Sequence, residues 1–422
     1  MSAAPNPAAE HWLQTPPEVW ENLARTHGTP FYLFDADTVA GRIRAVRDAM
    51  CGLVQVYYAV KANPNLGLLR AVQPVADGVD ISSGGELVQA LLAGFDPVRM
   101  SFAGPAKTAH ELEAAIRAGV GCISAESLRE IDQCARIAAQ VGKPAKLLLR
   151  VNPALPNRAY GVKMAGRSVQ FGIDEAALPE AAARLKTHGA MLQFCGIHAY
   201  VGSQCFDPAA IVEATANALR IACELEARCG LVCKTINLGG GFGIAHAEAR
   251  RELDLQLLAS GLVPLFKLHL RSAPACDLIF ELGRFITADA GVYVTRVVDT
   301  KDSRGKSFVL CDGGLNHHLA AAGTFGAALR GNFPLRNLTR PEAPALTCHV
   351  AGPSCNPTDL LGVDVQLPYP APGDLLGVAM SGAYGLTASP ALFLGHATPV
   401  ELVRNGQQVV VGRQSHPITD FN

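Results

Sequence analysis

Between residues 54 and 284 the chain repeats one pattern. A short apolar run is followed by a polar or glycine break, then by a longer stretch with apolar residues every three or four positions. The apolar runs at 54–61, 78–83, 100–105, 122–126, 147–152, 195–203, 235–241 and 278–284 read as eight strands. The stretches between them, among them 85–93, 109–118 and 128–140, have helical spacing and many alanines. Strands that alternate with helices pair in parallel, and eight such units predict an α/β fold built on a (β/α)8 barrel. An open doubly wound sheet is the competing arrangement. The barrel is preferred because polar residues end many of the strands: Lys61, Asp80 with Ser82 and Ser83, residues 198–203, the Gly239, Gly240, Gly241 triplet, and Glu281 with Arg284. A barrel brings all of these to one face.

After residue 290 helical spacing becomes sparse. Residues 291–301, 307–312, 347–352, 374–380 and the pair 400–403 with 407–411 read as strands, and Asn405-Gly406 as the turn of a hairpin. A second, mainly β domain is therefore expected, joined by a strand at 31–35. Ahead of it, residues 1–20 read as a loose arm with a short helix, and Asp37 as the cap of a helix running to Met50.

Composition narrows the functional classes. With 422 residues, 49% hydrophobic and 17% charged, the chain is a well-buried globular protein. A net charge of -1 supplies no field for nucleic acid or an anionic membrane. No apolar run has membrane-spanning length and no signal-peptide pattern opens the chain, so a cytoplasmic location is expected. Twelve cysteines lack a C-x-x-C pair or a zinc spacing, which predicts buried free thiols and no metal.

Three features carry chemistry. Lys61 follows the apolar run 56–60. It is either a surface lysine on a strand-to-helix loop or a nucleophilic amine that holds an aldehyde as a Schiff base, aided by a dry site that lowers its pKa. The glycine triplet at 239–241 is either a tight turn or a cradle whose N–H groups ring a single phosphate. It has neither the spacing of a dinucleotide fingerprint nor that of a Walker loop. Glu281, within Glu281-Leu282-Gly283-Arg284, is either half of a structural ion pair or a carboxylate bonded to a ring nitrogen. Amine, phosphate cradle and ring-nitrogen carboxylate together describe pyridoxal 5'-phosphate (PLP).

Several motifs occur in an order that resembles the fold-type III PLP decarboxylases, which include diaminopimelate, ornithine and arginine decarboxylases. They are Tyr58-Ala59-Val60-Lys61-Ala62-Asn63, Asp80-Ile81-Ser82-Ser83-Gly84-Gly85-Glu86-Leu87, Val201-Gly202-Ser203-Gln204, Gly239-Gly240-Gly241-Phe242-Gly243, Glu281-Leu282-Gly283-Arg284, Gly352-Pro353-Ser354-Cys355 and Gly382-Ala383-Tyr384. The resemblance runs from about residue 28 to residue 400. It implies an alanine racemase-like barrel at 37–285 and a β domain, 1–36 with 286–422, that completes the partner's active site in a homodimer. It further implies that Lys61 bonds the cofactor and that Ser203, the three glycines, Arg284 and Tyr384 hold its phosphate. Glu281, with Gly283 beside it, would meet the ring nitrogen. Asp80 would position the cofactor, and Cys355 would be a catalytic thiol supplied by the neighbouring subunit.

The chain departs from the family pattern at three places. Tyr200 stands where the family has a histidine stacked on the cofactor, and His198, two residues earlier, is expected to point elsewhere. Leu282 replaces a proline. Asn356 follows Cys355 where relatives acting on diaminopimelate, ornithine or lysine have an acid that meets the distal amino group. Substrates with a distal ammonium are therefore disfavoured unless Asp359 substitutes. The segments 312–321 and 385–390 resemble a branch that includes exosortase-associated decarboxylases and those acting on carrier-protein-linked aminoacyl groups. His317 and His318 within it read as core residues or as substrate contacts. The expected activity is α-decarboxylation of a small-molecule or carrier-bound amino-acid derivative, or of a siderophore intermediate. Diaminopimelate decarboxylation, a PLP racemase or epimerase, and a non-catalytic PLP-binding protein are the alternatives.

Overall fold

The computed structural model describes residues 12, 14–154, 159–246, 252–323 and 331–421. Eight strands form the barrel: Gln55–Ala59, Gly78–Ile81, Met100–Phe102, Cys122–Ala125, Ala145–Asn152, Leu192–His198, Thr235–Asn237 and Asp277–Leu282. Each pairs in parallel with the next, and Asp277–Leu282 returns to pair with Gln55–Ala59. That closing pair decides for the barrel over the open sheet.

The helices form where the apolar spacing and the caps agree. Thr108 and Glu111 make a reciprocal capping box at the start of Ala109–Ala118. Ser83 and Ser127 cap the helices Gly84–Leu92 and Leu128–Val141 from one side only, each side chain accepting from a backbone N–H in the first turn. Leu128–Val141 buries Ile131, Cys134, Ala135, Ile137 and Ala138 along one stripe, and removing a side chain the size of Ile131 from water stabilises by about 1.5–3 kcal/mol. The helix after the first β-strand is Ala36–Ala49, and its cap is Asp35 instead of Asp37: the Asp35 carboxylate accepts from Asp37 N at 3.0 Å.

The barrel strands stop earlier than the apolar runs, because the ladder ends where each chain turns to build the mouth. Lys61 thus lies in a 3-10 turn, Val60–Ala62, just beyond its strand. The run at 195–203 splits likewise. Its strand ends at His198, and Gly202–Cys205 pairs antiparallel with Tyr160–Lys163 in a separate two-stranded ribbon.

The β sheet runs in the order Leu360–Pro368, Ala345–Ala351, Lys306–Cys311, Gly291–Ser303, Phe31–Asp35, Val400–Asn405, Gln408–Arg413. Phe31–Asp35 lies between Gly291–Ser303 and Val400–Asn405, so the N-terminal strand does join the C-terminal sheet. Asn405 pairs with Gln408, which makes Gly406 and Gln407 the hairpin turn, with Gly406 at φ 58°. One buried apolar cluster extends from barrel residues such as Val56 into sheet residues such as Val378. Of the expected arm, residues 1–11 and 13 lie outside the described residues; Pro17–His27 is a helix.

His317 and His318 are core residues. The His318 ring bonds Ser381 Oγ at 2.8 Å and packs against Tyr32, Tyr293 and Phe333. Burial holds its imidazole down at about 3. His317 bonds the Ala397 carbonyl at 3.0 Å, and burial holds its imidazole at about 4. Both stay neutral in the folded state, whereas in the unfolded chain they charge below about pH 6.5. Unfolding therefore takes up protons in that range, and stability is lost as pH falls from about 6.5 toward the folded-state values. Differential scanning fluorimetry is expected to show this fall, with His318→Gln removing part of the slope.

Among the described residues no helix is long and apolar enough to cross a membrane, and no cluster of His, Cys, Asp and Glu could hold a metal ion. All the cysteines are free thiols, but Cys51, Cys223 and Cys355 are exposed instead of buried.

Candidate active site

The polar residues that end the strands meet at the barrel mouth around a cavity of about 540 Å³. Lys61, Asp80, Ser203, Gly241, Glu281, Gly283, Arg284, Tyr200 and Tyr384 all line it. The turn bearing Lys61 is held from both sides. Tyr58 donates its hydroxyl to Asn63 O at 2.8 Å, Asn63 Nδ2 donates to Gly382 O, and Tyr384 N donates to Ala62 O at 2.7 Å. A segment of the β domain thus clamps the lysine turn, and Tyr384 adopts φ 55°, a left-handed conformation that costs a non-glycine residue energy.

Lys61 Nζ donates to Asp80 Oδ2 at 2.5 Å. Its side chain is 42% exposed and lines the cavity. Burial works against the ammonium, yet Asp80, Tyr384 and Glu281 outweigh it and hold the amine above its ordinary value. The expected lowering of the Lys61 pKa is thus not found: two nearby carboxylates override the dry surroundings. Asp80 is fully buried, and burial together with Glu281 raises its carboxyl to about 6 against the opposing pull of Lys61.

Glu281 pairs not with Arg284 but with the barrel interior. Its Oε1 accepts from Ser101 Oγ at 2.9 Å and from Asn237 Nδ2. Arg284 is half-buried, with no carboxylate partner among the described residues; its guanidinium lies 4.4 Å from the Tyr384 ring, and the buried Nη1 has no hydrogen bond. Burial lowers its proton affinity, the signature of a cation waiting for an anion. The glycine triplet lies close by. An added Cβ would stand 2.1 Å from Glu281 O at Gly240 and 1.8 Å from Gly202 O at Gly241, so the close approach itself requires glycine. Gly239 N is occupied by Asn237 Oδ1 at 2.9 Å, whereas the Gly240 and Gly241 N–H groups have no partner among the described residues. An unpaired guanidinium, two free amides and the Ser203 hydroxyl suit a phosphate dianion. An amine on the cavity wall and a fixed carboxylate suit an aldehyde and a protonated ring nitrogen. The residues present fit pyridoxal phosphate.

A family model described as "Pyridoxal-dependent decarboxylase, pyridoxal binding domain" matches residues 36–288. The chain belongs to the pyridoxal-dependent decarboxylase family. It is 37% identical over 402 residues to the L-glutamyl-(BtrI acyl-carrier protein) decarboxylase of Niallia circulans, covering 93% of this chain and 92% of the relative. It is 30% identical over 407 residues to the diaminopimelate decarboxylase of Helicobacter pylori, covering 95% and 96%. The crystal structure of the Helicobacter pylori diaminopimelate decarboxylase complexed with L-lysine superposes with a TM-score of 0.86 at 29% identity, over 95% of this chain and 98% of that one. The protein is a PLP-dependent decarboxylase; neither a racemase nor a non-catalytic relative is favoured.

The cavity also holds residues for which the sequence suggested no role. His198 lines the same cavity as Tyr200, because residues two apart on an extended chain share a face. The expectation that His198 points elsewhere is thus corrected. Tyr200 lies against Gly239, where an added Cβ would come within 2.5 Å of its ring, and burial raises its hydroxyl to about 12. Arg150 reaches the cavity while bonded to the buried Glu126 at 2.7 Å and lying 4.9 Å from the Phe171 ring. Ser101 and Asn237 were legible only as polar residues within apolar runs, a pattern that signals a polar barrel interior.

The thiol loop lies apart from this cavity. Cys355 is exposed and does not line it. Asn356 turns its Oδ1 onto Thr358 N at 3.0 Å. Asp359, offered above as a substitute acid for the substrate, is buried. Its two oxygens accept from Leu315 N at 2.6 Å and Ser354 N at 2.9 Å, so the carboxylate ties loops together. His318 is buried in the β-domain core and does not line the cavity.

Proposed function

We propose that the enzyme removes the α-carboxylate of an acidic amino acid whose distal carbonyl is carried as a thioester on an acyl-carrier protein, glutamyl being the favoured acyl group. The observation that carries this is the thiol loop. Asn356 is neutral and engaged by Thr358, and Asp359 is consumed by two backbone amides, so neither residue offers a free carboxylate to a distal ammonium. Similarity to a decarboxylase named for a glutamyl carrier-protein substrate supports the same reading.

Bound PLP supplies an electron sink for the charge that departing CO2 leaves at the α-carbon. The chain's own residues do the rest. Lys61 would hold the cofactor's aldehyde, and Asp80, bonded to Lys61 Nζ, keeps that amine oriented. Arg284, Tyr384, Ser203 and the Gly240 and Gly241 amides bind the phosphate. Glu281, fixed by Ser101 and Asn237, would meet the ring nitrogen, and Tyr200 would flank the ring. Cys355, brought by the second subunit of a homodimer, gives a proton to the α-carbon on one face.

Measuring CO2 release over free and thioester-linked amino acids tests the substrate. Glutamyl thioesters of the carrier are expected to exceed meso-diaminopimelate in kcat/KM by about a hundredfold, since a mismatched distal charge leaves a desolvated group unpaired. Faster release from diaminopimelate would overturn the assignment and favour the diaminopimelate decarboxylases.

A further inference from the structure

His198 is buried, only 1% exposed, and the chemistry above gives it no task. Its Nδ1 lies 2.9 Å from Ser124 Oγ. Its Nε2 lies 3.4 Å from Glu281 Oε2 and has no hydrogen-bond partner. Burial, then the nearby Arg150 cation, push the imidazole down to about 3, so the ring is neutral and carries one proton. A neutral imidazole has one donor and one acceptor nitrogen. The nitrogen facing a carboxylate oxygen is the one that keeps the proton, since two lone pairs opposed at that distance repel. Nδ1 then accepts from the Ser124 hydroxyl.

We propose that His198 is a positioning residue that donates its Nε2 proton to Glu281 Oε2, with Ser124 fixing the tautomer, so that Glu281 stays aimed at the cofactor ring. Glu281 Oε1 already takes two donors, from Ser101 and Asn237; among the described residues Oε2 has only His198 within reach. A separation of 3.4 Å closes to a full hydrogen bond with a small ring rotation, as site contacts commonly do once a cofactor is in place. The inference rests on the reading that Glu281 meets the ring nitrogen.

The test uses the holoenzyme with His198→Leu, His198→Gln and Glu281→Gln, following cofactor absorbance against pH as well as kcat and KM. In His198→Leu, kcat is expected to fall about tenfold to a hundredfold, the worth of a hydrogen bond to a charged group, with KM little changed. A carboxylate that loses a donor takes up a proton more readily, so the acid limb of kcat/KM and of the absorbance titration should move up by about one pH unit. Asp80, Glu126, Arg150 and Lys61 also face His198, and Asp80 itself titrates near 6, so the shift is read against wild type. His198→Gln, whose amide restores a donor, should recover most of both effects. A His198→Leu enzyme with the wild-type titration and acid limb, whatever its melting temperature, would overturn the proposal. Should that variant not fold, Ser124→Ala must show a smaller shift in the same direction, and no shift overturns the proposal equally. Glu281→Gln separates the two levels: if it leaves cofactor absorbance unchanged, the ring-nitrogen reading itself fails.

Discussion

Lys61→Ala is expected to lower turnover by at least about a thousandfold and to abolish cofactor fixation by borohydride, while the protein still folds. Fixation is the decisive measurement, because mass spectrometry after reduction identifies the residue that carries the cofactor. Folding should survive for an electrostatic reason. Lys61 is the cation bonded to the buried Asp80, whose carboxyl already stands at about 6 with that cation present. Without the ammonium the carboxyl rises further and binds a proton near neutrality, so no uncompensated charge remains buried. A Lys61→Ala enzyme that still fixed the cofactor at wild-type stoichiometry would sink the site assignment.

A mixture of Lys61→Ala and Cys355→Ala chains, each nearly inactive alone, is expected to regain about a quarter of wild-type activity after the subunits exchange. Random pairing makes half of the dimers mixed. In a two-fold dimer with shared sites, each mixed dimer has one site carrying both lesions and one carrying neither. The prediction follows from the position of Cys355. It is exposed on a loop of the β domain and does not line the cavity that holds Lys61 of its own chain. The thiol can reach a barrel mouth only if it is that of another subunit, or if the loop moves. Activity that stays at the level of the separate variants after exchange would show that each chain completes its own site.

Much of this was legible along the chain, for reasons particular residues make plain. Lys61, Asp80, Glu281 and Arg284 stand directly after apolar runs, and a parallel barrel delivers every strand end to one rim. Their convergence could therefore be read from order alone. The glycine triplet was readable because backbone approaching within hydrogen-bond distance of Glu281 O and Gly202 O tolerates no Cβ. His318 and Asp359 were not readable. Each is a polar residue in an irregular segment, and whether it meets substrate or the β-domain core depends on contacts with Ser381, Leu315 and Ser354, some of them distant in sequence. Gly202–Cys205 and Tyr160–Lys163 likewise pair across about forty residues, and only the folded chain shows that a ribbon leaves the barrel there.

The sequence by itself determined the alternation of strands and helices, the addition of a β domain and which polar side chains stand at the strand ends, because periodicity and strand-end position are local properties. Tertiary structure alone decided the charge state of the site and the partners of each carboxylate. Lys61 is held protonated by Asp80 and Glu281, Glu281 turns to Ser101 and Asn237 instead of Arg284, and Arg284 has no counter-ion among the described residues. Those outcomes depend on burial and on distances between strands far apart in the chain, and both arise only when the barrel closes.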